Sequence, residues 1–178
     1  FMPGSLNIQG NNAFATWMGW FVKYEESFMM VADDAQIEDL TRKLMRIGLD
    51  NVYGYISDVT TVGVELAKSD VIEIDEFKAH LNREDVQVVD LRGVAEYNAG
   101  HIEGVENVFI GTLPMHLDKI SREKQVVIHC QGGDRAAIGY SILAQNGFEN
   151  VKNYSGGIND WASKGNPLET ELAEAAVC

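Results

Sequence analysis

Between residues 71 and 163, apolar runs of strand length alternate with stretches of helical character. Residues 71–74 (VIEI) alternate like a short strand, and Asp75 is a fair N-cap for a helix through Asn82. The β-branched run at 86–89 predicts a strand buried on both faces. A short helix over 93–99, a strand over 105–109 and a short helix over 113–120 follow. Residues 126–129 form a further buried strand, which ends at Cys130. A helix over 135–146 is then closed by the Asn146-Gly147 pair as a left-handed cap. A last strand at 151–153 and a last helical turn at 158–163 complete the pattern. Strands that alternate with helices predict an α/β domain: a mostly parallel, five-stranded sheet flanked by helices on both faces.

The chain also repeats itself. FMPGSLNI (1–8) parallels HIEGVENV (101–108), with Gly4 on Gly104, Asn7 on Asn107 and Ile8 on Val108. RKLMRIGLDNV (42–52) parallels YSILAQNGFENV (140–151), with Leu44 on Leu143, Gly48 on Gly147 and Asn51-Val52 on Asn150-Val151. Two blocks in one order, at offsets of 100 and 99, predict two copies of a domain. The first copy, 1–66, holds only a second half: a helix near 13–21, a strand at 28–31, a helix at 34–47 and a strand near 52–55. The second occupies 67–178. Half a domain leaves a sheet edge and apolar faces uncovered. The partial copy is therefore expected to pack on the second domain, on another copy of the chain as a homodimer, or on a missing N-terminal portion.

Charge and cysteine content narrow the setting. The 178 residues are 46% apolar and 23% charged, as in an ordinary soluble protein. Residues 1–66 carry 4 basic and 9 acidic side chains, leaving 10 and 18 of the totals of 14 and 27, so both parts are acidic and the net charge is −13. No basic patch invites nucleic acid. The longest apolar stretch, 13–22, is too short to cross a membrane and lacks the features of a signal peptide, so no membrane association is expected. Two cysteines, Cys130 and the terminal Cys178, make no disulfide framework and suggest a reducing compartment, the cytoplasm by default. A start at Phe1 instead of Met suggests a fragment of something longer. His80, His101, His116, His129 and Cys130 show no zinc-ligand spacing, so neither metal nor cofactor is expected.

The candidate chemistry sits in VVIHCQGGDRAAIGYSILAQNGF, residues 126–148. A buried parallel strand delivers Cys130 to its carboxyl end, where open α/β sheets bind ligands. Gly132 and Gly133 permit a tight loop whose backbone N–H groups turn inward, and a helix starting near Arg135 aims its positive end at the same spot. Amides of Gln131, Gly132, Gly133, Asp134 and Arg135, with the Arg135 guanidinium, would favour a thiolate at Cys130. The structural alternative is a buried cysteine at a strand end followed by an ordinary turn.

Cys130, Gly133 and Arg135, spaced Cys-x-x-Gly-x-Arg, resemble the active-site loop of rhodanese-type sulfurtransferases. Upstream, Asp90, Arg92, Glu96, Tyr97, Gly100, His101, Ile102 and Gly104 resemble that family's Asp-x-Arg, Glu-aromatic and Gly-His-Ile-x-Gly elements. Downstream, YSGGINDWASKGNP (154–167) resembles its Gly-Gly, Trp and Gly-x-Pro ending, so the likeness spans about residues 70–168. Residues 1–60 look like part of a degenerate module of the same family. Together the two resemble the C-terminal portion of fusions with an iron-dependent metallo-β-lactamase-fold persulfide dioxygenase. Phosphatase-like loops also run from His-Cys to Arg, but with five intervening residues; here there are four, Gln131 to Asp134, a cradle suited to one sulfur atom. The corresponding loop of the first copy, Val31 to Gln36, has neither cysteine, glycine nor arginine, and would be inert.

The resemblance implies a sulfurtransferase in which Cys130 becomes a persulfide and passes sulfur from a small-molecule donor to a thiol acceptor. Asp134 lowers the loop's positive potential if it faces inward, which disfavours thiosulfate and favours a low-molecular-weight or protein persulfide; facing outward, it is a solvated side chain. Asp90 and Arg92 either support the loop from behind or simply pair with each other. His129, His101, Trp161 and Trp17 read as structural, and Cys178 as a sulfur relay or a terminal tail residue. Two other classes stay open: a phosphatase or arsenate reductase, and a non-catalytic regulatory or docking module.

Overall fold

The computed structural model describes residues 1–170; Cys178 lies outside the described residues. The chain divides between Ala67 and Lys68 into two compact units.

In the first unit, α1 (Phe14–Phe21) precedes β1 (Phe28–Val31), α2 (Asp34–Met45) and β2 (Val52–Ile56). The two strands pair in parallel. Leu40 and Leu44, one turn apart on α2, bury against Phe14 and Met18 of α1, Met30 of β1 and Leu49. Met29 and Val31, at alternate positions of β1, are exposed, as are Tyr53 and Tyr55 on β2. The unit's ends meet: the amide of Ala67 donates to the carbonyl of Phe1 at 3.0 Å.

The second unit is an α/β domain. Its elements are β3 (Val71–Ile72), α3 (Ile74–His80), β4 (Val86–Asp90), α4 (Val94–Ala99), β5 (Glu106–Asn107), β6 (Gln125–His129), α5 (Asp134–Gln145), β7 (Val151–Tyr154) and α6 (Gly157–Ser163). The five strands lie in the order β3-β7-β6-β4-β5, every neighbouring pair parallel. Every residue of β4 is buried, as a strand covered on both faces requires. One face carries Val86, Val88 and Val127, packed with Phe77 of α3 and with Ile158 and Trp161 of α6. On the other, Gly139 of α5 sits among Leu91, Ile110 and Ile128. Phe77 stacks on Tyr154 with centroids 4.2 Å apart.

Four local expectations need correction. The segment expected to form a helix over 113–120 is two 3₁₀ turns, Ile110–Met115 and Leu117–Lys119. Pro114 lacks the N–H that a continuous α-helix would use there. The cap of α3 is Glu73, extended at φ −92° and ψ 169°, and Asp75 falls in the first turn. That helix also ends at His80, because Asn82 adopts a left-handed conformation at φ 59°. The edge strands β3 and β5 are two residues each, since each pairs on one side over only that length. The left-handed cap after α5 is present: Gly147 has φ 74°, and the amide of Phe148 reaches back to the carbonyl of Leu143 at 3.1 Å.

Candidate active site

The register of β4, β6 and β7 aligns Asp90, His129 and Tyr154 at the carboxyl end of the sheet. Cys130 follows His129 directly, so it emerges where parallel sheets place their ligand sites. The chain then turns at Gly133, whose φ of 102° is a conformation that side chains rarely adopt. A Cβ there would also lie 2.9 Å from the carbonyl oxygen of Ser155. The turn aims the Gly133 N–H at Cys130 Sγ, 3.2 Å away. Gly133 is also the N-cap of α5, so the positive end of a 12-residue helix lies beside the sulfur.

A second segment holds the loop from the far side. The amides of Ile158 and Asn159 donate to the carbonyls of Cys130 and Gln131 at 2.9 and 3.0 Å. The Gln131 side chain donates to Asn159 Oδ1 at 2.5 Å. Gln131 was expected to lend an amide to the sulfur; the contacts that define it here are these two with Asn159. Gly132 approaches Asn159 as well, for a Cβ on it would sit 3.3 Å from the Asn159 amide nitrogen. Asp134 is exposed and opens the first turn of α5, where an acidic side chain stabilises the helix dipole.

Two features depart from the expected picture. Arg135 does not present a free charge to the sulfur. Its guanidinium makes a two-pronged ion pair with Glu96 of α4, at 2.6 and 2.8 Å. The Gly93 N–H donates to the same carboxylate at 3.1 Å, which aims it from the start of α4. Burial opposes the charge on Arg135, but the Glu96 hydrogen bonds and charge carry its pKa upward, with smaller pushes from Cys130 and Asp90. Arg135 holds the Glu96 carboxyl below the usual carboxylate range, against the opposing effect of burial, helped by the Gly93 amide. The second departure is the burial of Cys130, 1% exposed beneath a loop whose Gly132 and Asp134 are open to solvent. The inward turn that brings the amide onto Sγ also closes the loop over it.

Behind the loop, Asp90 and Arg92 form a buried pair. Arg92 Nε and Nη2 donate to Asp90 Oδ2 at 2.9 and 2.7 Å, and Nη2 also reaches the Gly100 carbonyl at 2.7 Å. His129 lies fully buried beside them, with Nε2 4.0 Å from Asp90 Oδ2 and its ring edge-on to Phe77. Burial drives the His129 pKa down, outweighing the upward pull of Asp90 and of the Cys130 carbonyl, so the imidazole is neutral. His101 stacks on Tyr97, its Nδ1 3.0 Å from the Tyr97 carbonyl. Among the described residues no cluster could hold a metal ion, and no helix is long and apolar enough to cross a membrane. A small cleft lined by Ser121, Arg122, Gly147, Phe148, Glu149 and Asn150 precedes β6 and β7, at the opposite end of the sheet from Cys130.

Three residues of the loop's surroundings had no assigned role in the sequence: Glu96, Gly157 and Asn159. Glu96 and the Gly156-Gly157 pair stand inside the motifs that carry the resemblance, which is the signal that could have found them. Asn159 falls in the same 154–167 stretch but is not one of the residues that carry the resemblance there.

The sequence model of the Rhodanese-like domain matches residues 73–164, and the chain belongs to this family. The tRNA uridine(34) hydroxylase of Yersinia pestis (strain Pestoides F) is 33% identical over 99 residues, a match that covers 52% of this chain and 28% of that protein. Among solved structures, a rhodanese-like domain protein from Staphylococcus aureus is 31% identical, with a TM-score of 0.51, over 58% of this chain and 99% of that one. A rhodanese-related protein from Thermoplasma volcanium is 26% identical, with a TM-score of 0.51, over 58% and 98%.

Proposed function

We propose that the chain is a single-cysteine sulfurtransferase. The observation that carries this reading is the Gly133 N–H pointed at Cys130 Sγ from the head of α5. In the first half-reaction the Cys130 sulfur attacks the outer sulfur of a donor R–S–SH. An Sγ–S bond forms, the donor's S–S bond breaks, and RS⁻ leaves with the electron pair. In the second, an acceptor thiolate attacks the outer sulfur of the Cys130 persulfide, and the electron pair returns to Sγ. A terminal sulfur added to Cys130 would lie farther out along the same loop, where further amides of residues 131–135 and the positive end of α5 suit it. The hydroxylation named for the Yersinia relative is not assigned to this chain. The match spans 28% of that protein, and a net charge of −13 is unsuited to RNA.

Residues 1–66 read as a partial, inactive copy of the same module. Supporting this, β1-α2-β2 runs as β6-α5-β7 does, with a parallel strand pair around a 12-residue helix in each. Gly48 (φ 77°) closes the first helix as Gly147 (φ 74°) closes the second, and Leu49 N–H reaches the Leu44 carbonyl as Phe148 reaches Leu143. The combination fits the C-terminal side of a fusion with a persulfide dioxygenase, and the cysteine content fits the cytoplasm. The uncovered β1-β2 face would then meet a preceding portion or a second copy of the chain.

The burial of Cys130 favours a second reading, a docking module without catalysis. One measurement separates the two. The intact protein is weighed after incubation with glutathione persulfide and with thiosulfate. Uptake of one sulfur atom, removed by cyanide and absent in Cys130→Ser, is the expected result. A folded protein that neither gains sulfur from these donors nor hydrolyses an aryl phosphate favours the docking reading in its place.

A further inference from the structure

Resting on the sulfurtransferase reading, we infer that Glu96 sets the class of donor. By holding the Arg135 guanidinium in a two-pronged ion pair it cancels the charge that would attract a dianion, and fits the loop to a thiol persulfide instead of thiosulfate. Arg135 is the one cationic side chain of residues 130–135, and both faces of its fork that meet Glu96 are hydrogen-bonded at 2.8 Å or less. The carboxylate is not a loose surface group, because the Gly93 N–H pins it at the first turn of α4. Behind the loop, Arg92 is matched in the same way by Asp90. Asp134, exposed at the head of α5, adds a further negative charge. What remains near Sγ is dipolar: one directed amide and a helix end.

Dipoles of that kind suffice for a sulfur with little net charge, whereas a dianion, which loses more hydration on leaving water, gains more from an unpaired cation than a singly charged or neutral donor does. A persulfide reacting through its protonated outer sulfur meets that condition. Sγ bonds to the outer sulfur, the S–S bond of the donor breaks, and a thiolate carries away the electron pair and one charge. Thiosulfate would transfer the same sulfur by breaking its S–S bond, but must seat a dianion and release sulfite with two charges.

The test compares second-order rates of sulfur uptake at Cys130 from thiosulfate and from glutathione persulfide, using the full chain. Uptake from persulfide is expected to be the faster in the unaltered protein. Glu96→Gln retains an acceptor for the Gly93 N–H and frees the Arg135 charge, and the thiosulfate-to-persulfide ratio should rise about tenfold, an effect that added salt shrinks. Glu96→Asp keeps the charge and should hold the ratio near its original value. A ratio unmoved by Glu96→Gln, or faster uptake from thiosulfate in the unaltered protein, overturns the inference while leaving sulfur transfer intact. No uptake from either donor overturns both. A thermal melt of each variant shows that the ratios compare folded proteins.

Discussion

Gly157 and Cys130 meet backbone to backbone. A side chain on Gly157 would intrude on the Cys130 carbonyl oxygen and lie 2.9 Å from the Gln131 carbonyl carbon, and Gly157 holds φ at 59°. The next amide, Ile158, donates to that same carbonyl at 2.9 Å. Cys130 is thus positioned by a neighbour that works only by having no side chain.

Gly157→Ala tests this directly. The new methyl must push the loop at 130–131 away, on top of the backbone strain of a left-handed alanine. A loss of about 2–4 kcal/mol in urea unfolding is expected, with slower sulfur uptake in the fraction that stays folded. Stability within about 0.5 kcal/mol of the unaltered protein would show that the contact relaxes freely.

Asn159→Ala removes the acceptor for the Gln131 side chain. A hydrogen bond of this kind contributes about 1 kcal/mol, so the closed loop should open about fivefold more often. Alkylation of Cys130 by iodoacetamide, slow while the residue is buried, should accelerate by that factor. An unchanged alkylation rate means the side-chain contact does not hold the loop shut.

The Asp90–Arg92 pair is buried, and removing one partner strands the other. Arg92→Met leaves a carboxylate beside a neutral imidazole and two carbonyls without their donor. It should cost about 3–5 kcal/mol. Adding Asp90→Leu to Arg92→Met should recover part of that loss, because no uncompensated charge then remains. Chemical denaturation of both variants checks the sign.

His129 makes stability depend on pH. Its folded pKa is depressed below the ordinary 6.5, chiefly by burial. Below about pH 6.5 the unfolded chain therefore binds a proton that the folded chain refuses. Its contribution is full above that pH, and is lost as pH falls toward the lower folded pKa. The slope from this one group reaches at most about 1.4 kcal/mol per pH unit. His129→Gln should flatten the fall in urea midpoint between about pH 7 and pH 5. A variant whose midpoint falls as steeply shows that other groups dominate.

Much of the domain was legible because its central strands announce themselves. The β-branched runs of β4 and β6 are buried on both faces, and Gly147 closes α5 where the chain pattern places it. The spacing from Cys130 to Arg135 marks the loop that turns back on Cys130 Sγ at the head of α5. What escaped is tertiary. The partner of Arg135 is Glu96, 39 positions away, and only the folding of α4 beside the head of α5 brings them together. The short edge strands and the 3₁₀ turns around Pro114 follow from local pairing and a missing donor, which hydrophobic period does not register. The sequence offered both an open and a buried Cys130 and could not choose between them, since a strand end and an open mouth look alike in one dimension.

That burial has a consequence for chemical durability. Peroxide and other diffusing oxidants attack cysteine in proportion to how often they can touch it. A sulfur covered by its own loop is touched only when that loop opens, so the residue's survival is timed by the protein and not by the surrounding redox weather.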